Sequence, residues 1–149
     1  MELRKQSASP IGRQRVLRKF IDQFIPPPSM TYLSDTVSIH PYFRVHPGKL
    51  DEFKALMAEF ISKTATEEAC LFYEFSIGGD LVFCREAYRG AEGVLAHLEN
   101  VGDILSRALK ISDIERLEFH GSAAELDKLR GPLSDLNPQW FELECSLQK

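Results

Sequence analysis

The chain is poor in residues that staple a fold or span a bilayer. Its 149 residues include only three cysteines, Cys70, Cys84 and Cys145, an odd number without CxxC spacing. A disulfide framework and a cysteine metal site are both disfavoured, and a reduced, cytoplasmic compartment is expected. No apolar run approaches the roughly eighteen residues that cross a membrane, so no membrane partner is expected. Tryptophan occurs once, as Trp140 near the C-terminus. Positive charge is scarce outside the first thirty residues, which hold six basic and two acidic side chains. That segment is therefore +4, and the remainder carries −8 to give the overall −4. An acidic body is a poor counterion for phosphate backbones, which argues against nucleic acid.

What is present is ordinary for a globular protein: 44% apolar and 27% charged residues. The length suits one domain with a core of its own. Two regions are expected, a basic N-terminal extension over 1–30 and a folded body over 31–149. In the extension, Val16, Leu17, Phe20, Ile21 and Phe24 share a helical face among arginines, and Pro26-Pro27-Pro28 stops any helix. A presequence, a membrane-surface or partner-binding helix, a loosely docked appendage and a translated segment upstream of Met30 all fit this composition.

From Val37 the apolar residues alternate through Ile39, Phe43 and Val45, the pattern of a strand with two unlike faces. Pro41 removes a ladder donor there, which predicts an edge strand or a bulge. After the His46-Pro47-Gly48 turn, Leu50, Phe53, Leu56, Met57, Phe60 and Ile61 recur at helical spacing. Ala69 to Ile77 and Asp80 to Tyr88 read as a hairpin around Gly78-Gly79. Val94 to Leu109 is a second amphipathic helix, in which Gly93 and Gly102 suggest close packing or a bend. Ile114 to His120 is a fourth strand, Ala123 to Leu129 a short helix, and the tail with Trp140 and Phe141 is apolar enough to require a docking surface. The order β-α-β-β-α-β predicts an α+β, ferredoxin-like split βαβ fold with a four-stranded antiparallel sheet. Its helices cover one face only, so a second copy of the sheet is the expected cover for the other.

Three stretches carry a family resemblance. VHPGKLDEFKALM at Val45–Met57, ACLFYEF at Ala69–Phe75 and REAYRGAEGVLAHLEN at Arg85–Asn100 together resemble the antibiotic biosynthesis monooxygenase superfamily. The resemblance implies a dimeric α+β barrel, a homodimer with a small aromatic or quinone-like molecule as its other partner. It implies chemistry only loosely, because members include cofactor-free oxygenases of polycyclic aromatics, quinol oxygenases, haem-degrading enzymes and proteins acting on signalling molecules. Where the haem-degrading branch carries asparagine, tryptophan and histidine, this chain has Pro41, His97 and Arg107. The paired tryptophans of the aromatic-polyketide oxygenases are also missing, since Trp140 stands alone. No metal, flavin or other cofactor is therefore expected.

The candidate catalytic residues are His97 and Glu86. A neutral imidazole can abstract a phenolic proton near pH 7, whereas a histidine between Leu95 and Leu98 can equally be a structural group bonded to a carboxylate. Glu86 shares a strand face with Val82, Cys84 and Tyr88 and needs a partner, which His97 or Arg85 could supply. His40, Tyr42 and Arg44 share one face of the first strand and bind substrate if that face lines the cavity. Tyr73 and Tyr88 are further substrate-binding candidates, or core aromatics with a wet hydroxyl. The expected activity is cofactor-independent monooxygenation of a small aromatic or quinone-like compound, with a non-catalytic, ligand-binding or stress-related dimer as the alternative.

Overall fold

A computed structural model describes residues 35–147. The basic extension over 1–30 and its expected helix lie outside the described residues. The elements run β1 (Thr36–Val45), α1 (Leu50–Thr64), β2 (Cys70–Gly78), β3 (Leu81–Arg89), α2 (Gly90–Ala108), β4 (Ser112–Gly121), α3 (Ala123–Arg130), a single 3-10 turn (Ser134–Leu136) and β5 (Gln139–Glu142). They build an α+β fold whose sheet has the order β2-β3-β1-β4-β5. The first four strands are antiparallel neighbours, as the ferredoxin-like pattern requires.

Alternation in β1 has the consequence that its period of two dictates. Val37, Ile39, Phe43 and Val45 are buried on the helix-covered face, while Ser38, His40, Tyr42 and Arg44 point to the other side. Phe43 and Val45 join Phe53, Leu56 and Phe60 of α1 and Val101, Ile104 and Ala108 of α2 in one core cluster. Each such side chain withdrawn from water contributes roughly 1.5 to 3 kcal/mol, which holds both helices on the same face.

Pro41 lies on a central strand, between β3 and β4. Of the two placements that proline predicts, the bulge is the one adopted: the β1–β4 register shifts between Tyr42 and Phe43.

The tail adds an element that four-strand counting does not contain. Residues Gln139–Glu142 pair in parallel with β4, Trp140 beside Phe119 and Phe141 beside His120. Parallel pairing requires the chain to cross over first, and α3 with the 3-10 turn supplies that crossover. Asn137 turns the chain with a positive φ of 47° just before the strand begins. The docking surface required by Trp140 and Phe141 is thus the edge of β4 in the same chain.

Candidate functional site

The site grows from the alternation of β3. Cys84, Glu86 and Tyr88 face the helices, and Tyr73 pairs with Glu86 across the β2–β3 ladder. Beyond Arg89 the chain turns sharply at Gly90, whose φ of +68° is accessible to glycine at little cost. One turn later Gly93 lets α2 settle on the sheet: a Cβ there would stand 2.8 Å from Ala69 Cβ and 3.2 Å from Tyr88 Cβ. That close approach brings His97, a further turn along, over β3. Gly102 is different, with open space where its Cβ would be. Gly93→Ala is expected to destabilise the fold by about 1 to 3 kcal/mol and to lift His97 away from Glu86. Urea unfolding checks the first effect, and an unchanged midpoint would show that the contact relaxes freely.

His97 is 2% exposed and Glu86 4%. The imidazole Nε2 lies 3.1 Å from Glu86 Oε2, and Nδ1 lies 3.0 Å from a second carboxylate, Glu67 Oε2. The Tyr88 hydroxyl donates to the same Glu86 Oε2. Asn100 Nδ2 donates to Glu67 Oε1 at 2.6 Å and also to the Lys63 carbonyl at 3.2 Å. The rings of Tyr88 and Tyr73 flank the imidazole, with centroids 4.7 and 5.3 Å away. Both side-chain contacts to Glu86, from Tyr88 and His97, fall on Oε2.

Charge follows from this packing. Burial alone pushes the His97 pKa down, but the hydrogen bonds and charges of Glu86 and Glu67 outweigh it and the net shift is upward from 6.5. His97 is thereby favoured as an imidazolium between two carboxylates. Burial, followed by the nearby Glu86 charge, raises both Tyr73 and Tyr88, so these phenols stay protonated at neutral pH and act as donors. Burial likewise lifts the Cys70 thiol to about 11 and the fully buried Cys84 higher still, so neither is a ready nucleophile.

Glu86, His97 and Tyr73 line one end of a cavity of ≈ 80 Å³ between the sheet and α2. Its wall follows α2 from His97 through Val101 and Leu105 to Leu109, about 18 Å at the helical rise. Leu109 brings a large exposed apolar side chain to the far end, and Leu136, also exposed, lines the wall. Ligand pockets are usually about 300 Å³ or more, so a sizeable occupant must displace side chains there. The polar groups lie at one end and hydrocarbon covers the rest.

Of the residues expected at the site, His97, Glu86, Tyr73 and Tyr88 come together. His40, Tyr42 and Arg44 do not; they lie on the opposite face of the sheet. There His40 bonds Ser38 at 2.9 Å and meets His120 edge-on, and Arg44 is tied to Asp80 and Glu115. Arg85 pairs with Glu74 on that same face and leaves Glu86 to His97. Glu67 and Asn100 carry no sequence signal of a site. Glu67 reads as loop between α1 and β2, thirty residues from His97, and only the return of α2 across that loop joins them. Among the described residues, no group of three or more His, Cys, Asp or Glu side chains is arranged to hold a metal ion.

Comparison with solved structures places this geometry. MupZ from Pseudomonas fluorescens is 46% identical, the match covering 94% of MupZ and 76% of this chain, with a TM-score of 0.74. The chain belongs to one family with MupZ, and its fold is that of the antibiotic biosynthesis monooxygenases. A conserved protein from Methanosarcina mazei matches at 18% identity and TM-score 0.55 over 59% of this chain and 93% of its own. A Caulobacter crescentus protein provisionally named an antibiotic biosynthesis monooxygenase matches at 16% identity and TM-score 0.52, over 59% and 90%. These two share the fold. No protein-family model and no curated protein matches the chain. The superfamily's haem-degrading arrangement does not fit these residues: Pro41 and His97 line the cavity, but Arg107 is half-exposed and paired with Glu59.

Proposed function

We propose that this protein is a small-molecule enzyme in which Glu86 takes a proton from an apolar, oxygen-bearing substrate, and that its reaction is cofactor-independent monooxygenation of an aromatic or quinone-like compound. The observation that carries the proposal is a buried carboxylate in the wall of an apolar cavity, with an imidazole nitrogen 3.1 Å from its Oε2. A phenol titrates near 10 in water and yields its proton reluctantly to a carboxylate. General-base catalysis needs the proton to move only as the ring reacts, so the carboxylate must be within reach of the hydroxyl rather than more basic than the phenolate. The resulting phenolate is electron-rich enough to reduce dioxygen. One oxygen atom enters at a ring C–H to give the quinone carbonyl, and the other leaves as water with the ring and phenolic hydrogens.

A second reaction class is favoured by the charge on His97. An imidazolium beside a carboxylate is an acid beside a base, which suits moving a proton from one substrate oxygen or carbon to another without an oxidant. One experiment separates these outcomes: hydroquinones and polycyclic phenols offered to the protein in air and under nitrogen, with substrate loss and oxygen uptake recorded together. Equal oxygen uptake and substrate loss in air supports monooxygenation. Substrate loss undiminished under nitrogen supports the redox-neutral class. Saturable binding with neither change leaves the non-catalytic ligand-binding dimer.

The dimer belongs to the same proposal. Proteins of this fold are typically dimeric. The uncovered sheet face carries Tyr42, Phe72, Phe83 and Phe141, with Phe72 and Phe141 among the exposed large hydrophobics, and a second copy is the partner whose surface matches by symmetry. Sedimentation at micromolar protein is expected to show a dimer, and replacing Phe83 with glutamate to yield monomer. A monomer at every concentration of the unaltered protein would refute this. Among the described residues no helix is long and apolar enough to cross a membrane, and a cytoplasmic location is the one that suits three unpaired cysteines.

A further inference from the structure

We infer that Glu67 is the outlet of a proton path, Glu86–His97–Glu67, which lets Glu86 accept a substrate proton without changing the buried charge. The inference rests on Glu86 acting as the base proposed above and adds a residue that does not touch the cavity. Three observations support it. The contacts are continuous: Glu86 Oε2 to His97 Nε2 at 3.1 Å, then Nδ1 to Glu67 Oε2 at 3.0 Å. The path also runs outward, since the His97 side chain is 2% exposed whereas that of Glu67 is 11% exposed. Finally, Glu67 is held in place, with Asn100 donating to its Oε1 and its backbone N–H bonded to the Thr64 carbonyl at 3.0 Å. Glu67 is absent from the cavity wall.

The proton balance is simple. At rest the buried groups are the Glu67 carboxylate, the His97 imidazolium and the Glu86 carboxylate. When Glu86 takes the substrate proton, the negative charge that held the Nε2 side of the imidazolium disappears. The Nδ1 proton then passes to Glu67 and on to water, leaving neutral His97 with Nε2–H still donating to Glu86. One proton enters at Glu86 and one leaves at Glu67, and the buried net charge is the same before and after. Return of a proton along the same path resets the site. Other titratable groups facing His97 do not compete: Tyr73 on β2, with Tyr88 and Cys84 on β3, all keep their protons at neutral pH. From α1 two backbone carbonyls reach the network, that of Lys63 through Asn100 and that of Thr64 through the Glu67 N–H.

The test is Glu67→Gln in the full chain, read in two ways. NMR titration of the His97 ring is expected to move to lower pH, because the amide carries no charge to oppose burial. Asn100→Ala, which frees Glu67 to turn toward water, should move it the same way by less. Exposed Glu68→Gln should leave it in place. On a substrate identified by the panel above, Glu67→Gln should lower kcat about tenfold or more with KM unchanged, and the alkaline limb of the pH profile should follow the His97 titration. An unmoved His97 titration in folded Glu67→Gln would overturn the inference, as would a raised KM with kcat intact. A moved titration with no turnover of any panel compound would refute the proton-transfer function and the outlet with it, leaving Glu67 only as the group that holds His97 charged.

Discussion

Glu86→Gln is expected to lower turnover by about a hundredfold or more while the protein stays folded, because the amide keeps the size and one acceptor of the carboxylate but cannot take a proton. His97 retains Glu67 in that variant, so the imidazole is not left without a counter-charge. His97→Ala is the poorer probe despite His97 being the more conspicuous residue. It removes the group between Glu67 and Glu86 and leaves a buried and a partly buried carboxylate facing a void, a loss on the order of 3 to 5 kcal/mol for an ion network missing one member. Its activity would therefore fall whether His97 acts in the chemistry or only holds the site together. Oxygen uptake or substrate loss per folded Glu86→Gln molecule decides the matter, and normal turnover would remove Glu86 from the mechanism.

The same network gives stability a pH dependence with a definite sign. The folded-state pKa of His97 is raised above its unfolded value of 6.5. Its contribution is therefore fully present below that unfolded value and is lost as pH rises through the folded one. Urea unfolding from pH 6 upward should show this decline in the unaltered protein, and it should be reduced in Glu67→Gln.

Truncation after Asn137 is expected to cost about 3 kcal/mol or more, a fall in Tm on the order of 10 °C. The stretch removed is small, but it is attached at several points. Trp140 lies 5.2 Å from Phe119 and under the Arg130 guanidinium at 5.1 Å, Arg130 also pairs with Glu142 at 2.8 Å, and the Leu143 N–H bonds the Gly121 carbonyl at 2.8 Å. Removing β5 strips an apolar cover from Phe119 and exposes the β4 edge, so loss of solubility should accompany the loss of stability. Thermal melts of the full and truncated chains check both effects. An unchanged Tm would mean that the strand contributes no net stability.

Much of this was legible along the chain. Alternation in Val37–Val45, helical spacing from Leu50 and Val94, and the glycine-marked hairpin are local signals. Side-chain period and turn chemistry act over a few residues, so the α+β order and the inward face of each element follow directly. Glu86 and Tyr88 also share a face by strand period alone, and Gly93 announces close packing. The tertiary structure decided everything that depends on distance in sequence. It placed His40, Tyr42 and Arg44 away from the cavity, because the pleat divides a strand's faces without saying which one the helices cover. It turned the tail into a parallel fifth strand, because an exposed β4 edge has no sequence of its own to reveal it. It brought Glu67 to His97, because a charge in a polar loop looks the same whether it meets water or an imidazole, and only the packing of α2 against that loop determines which.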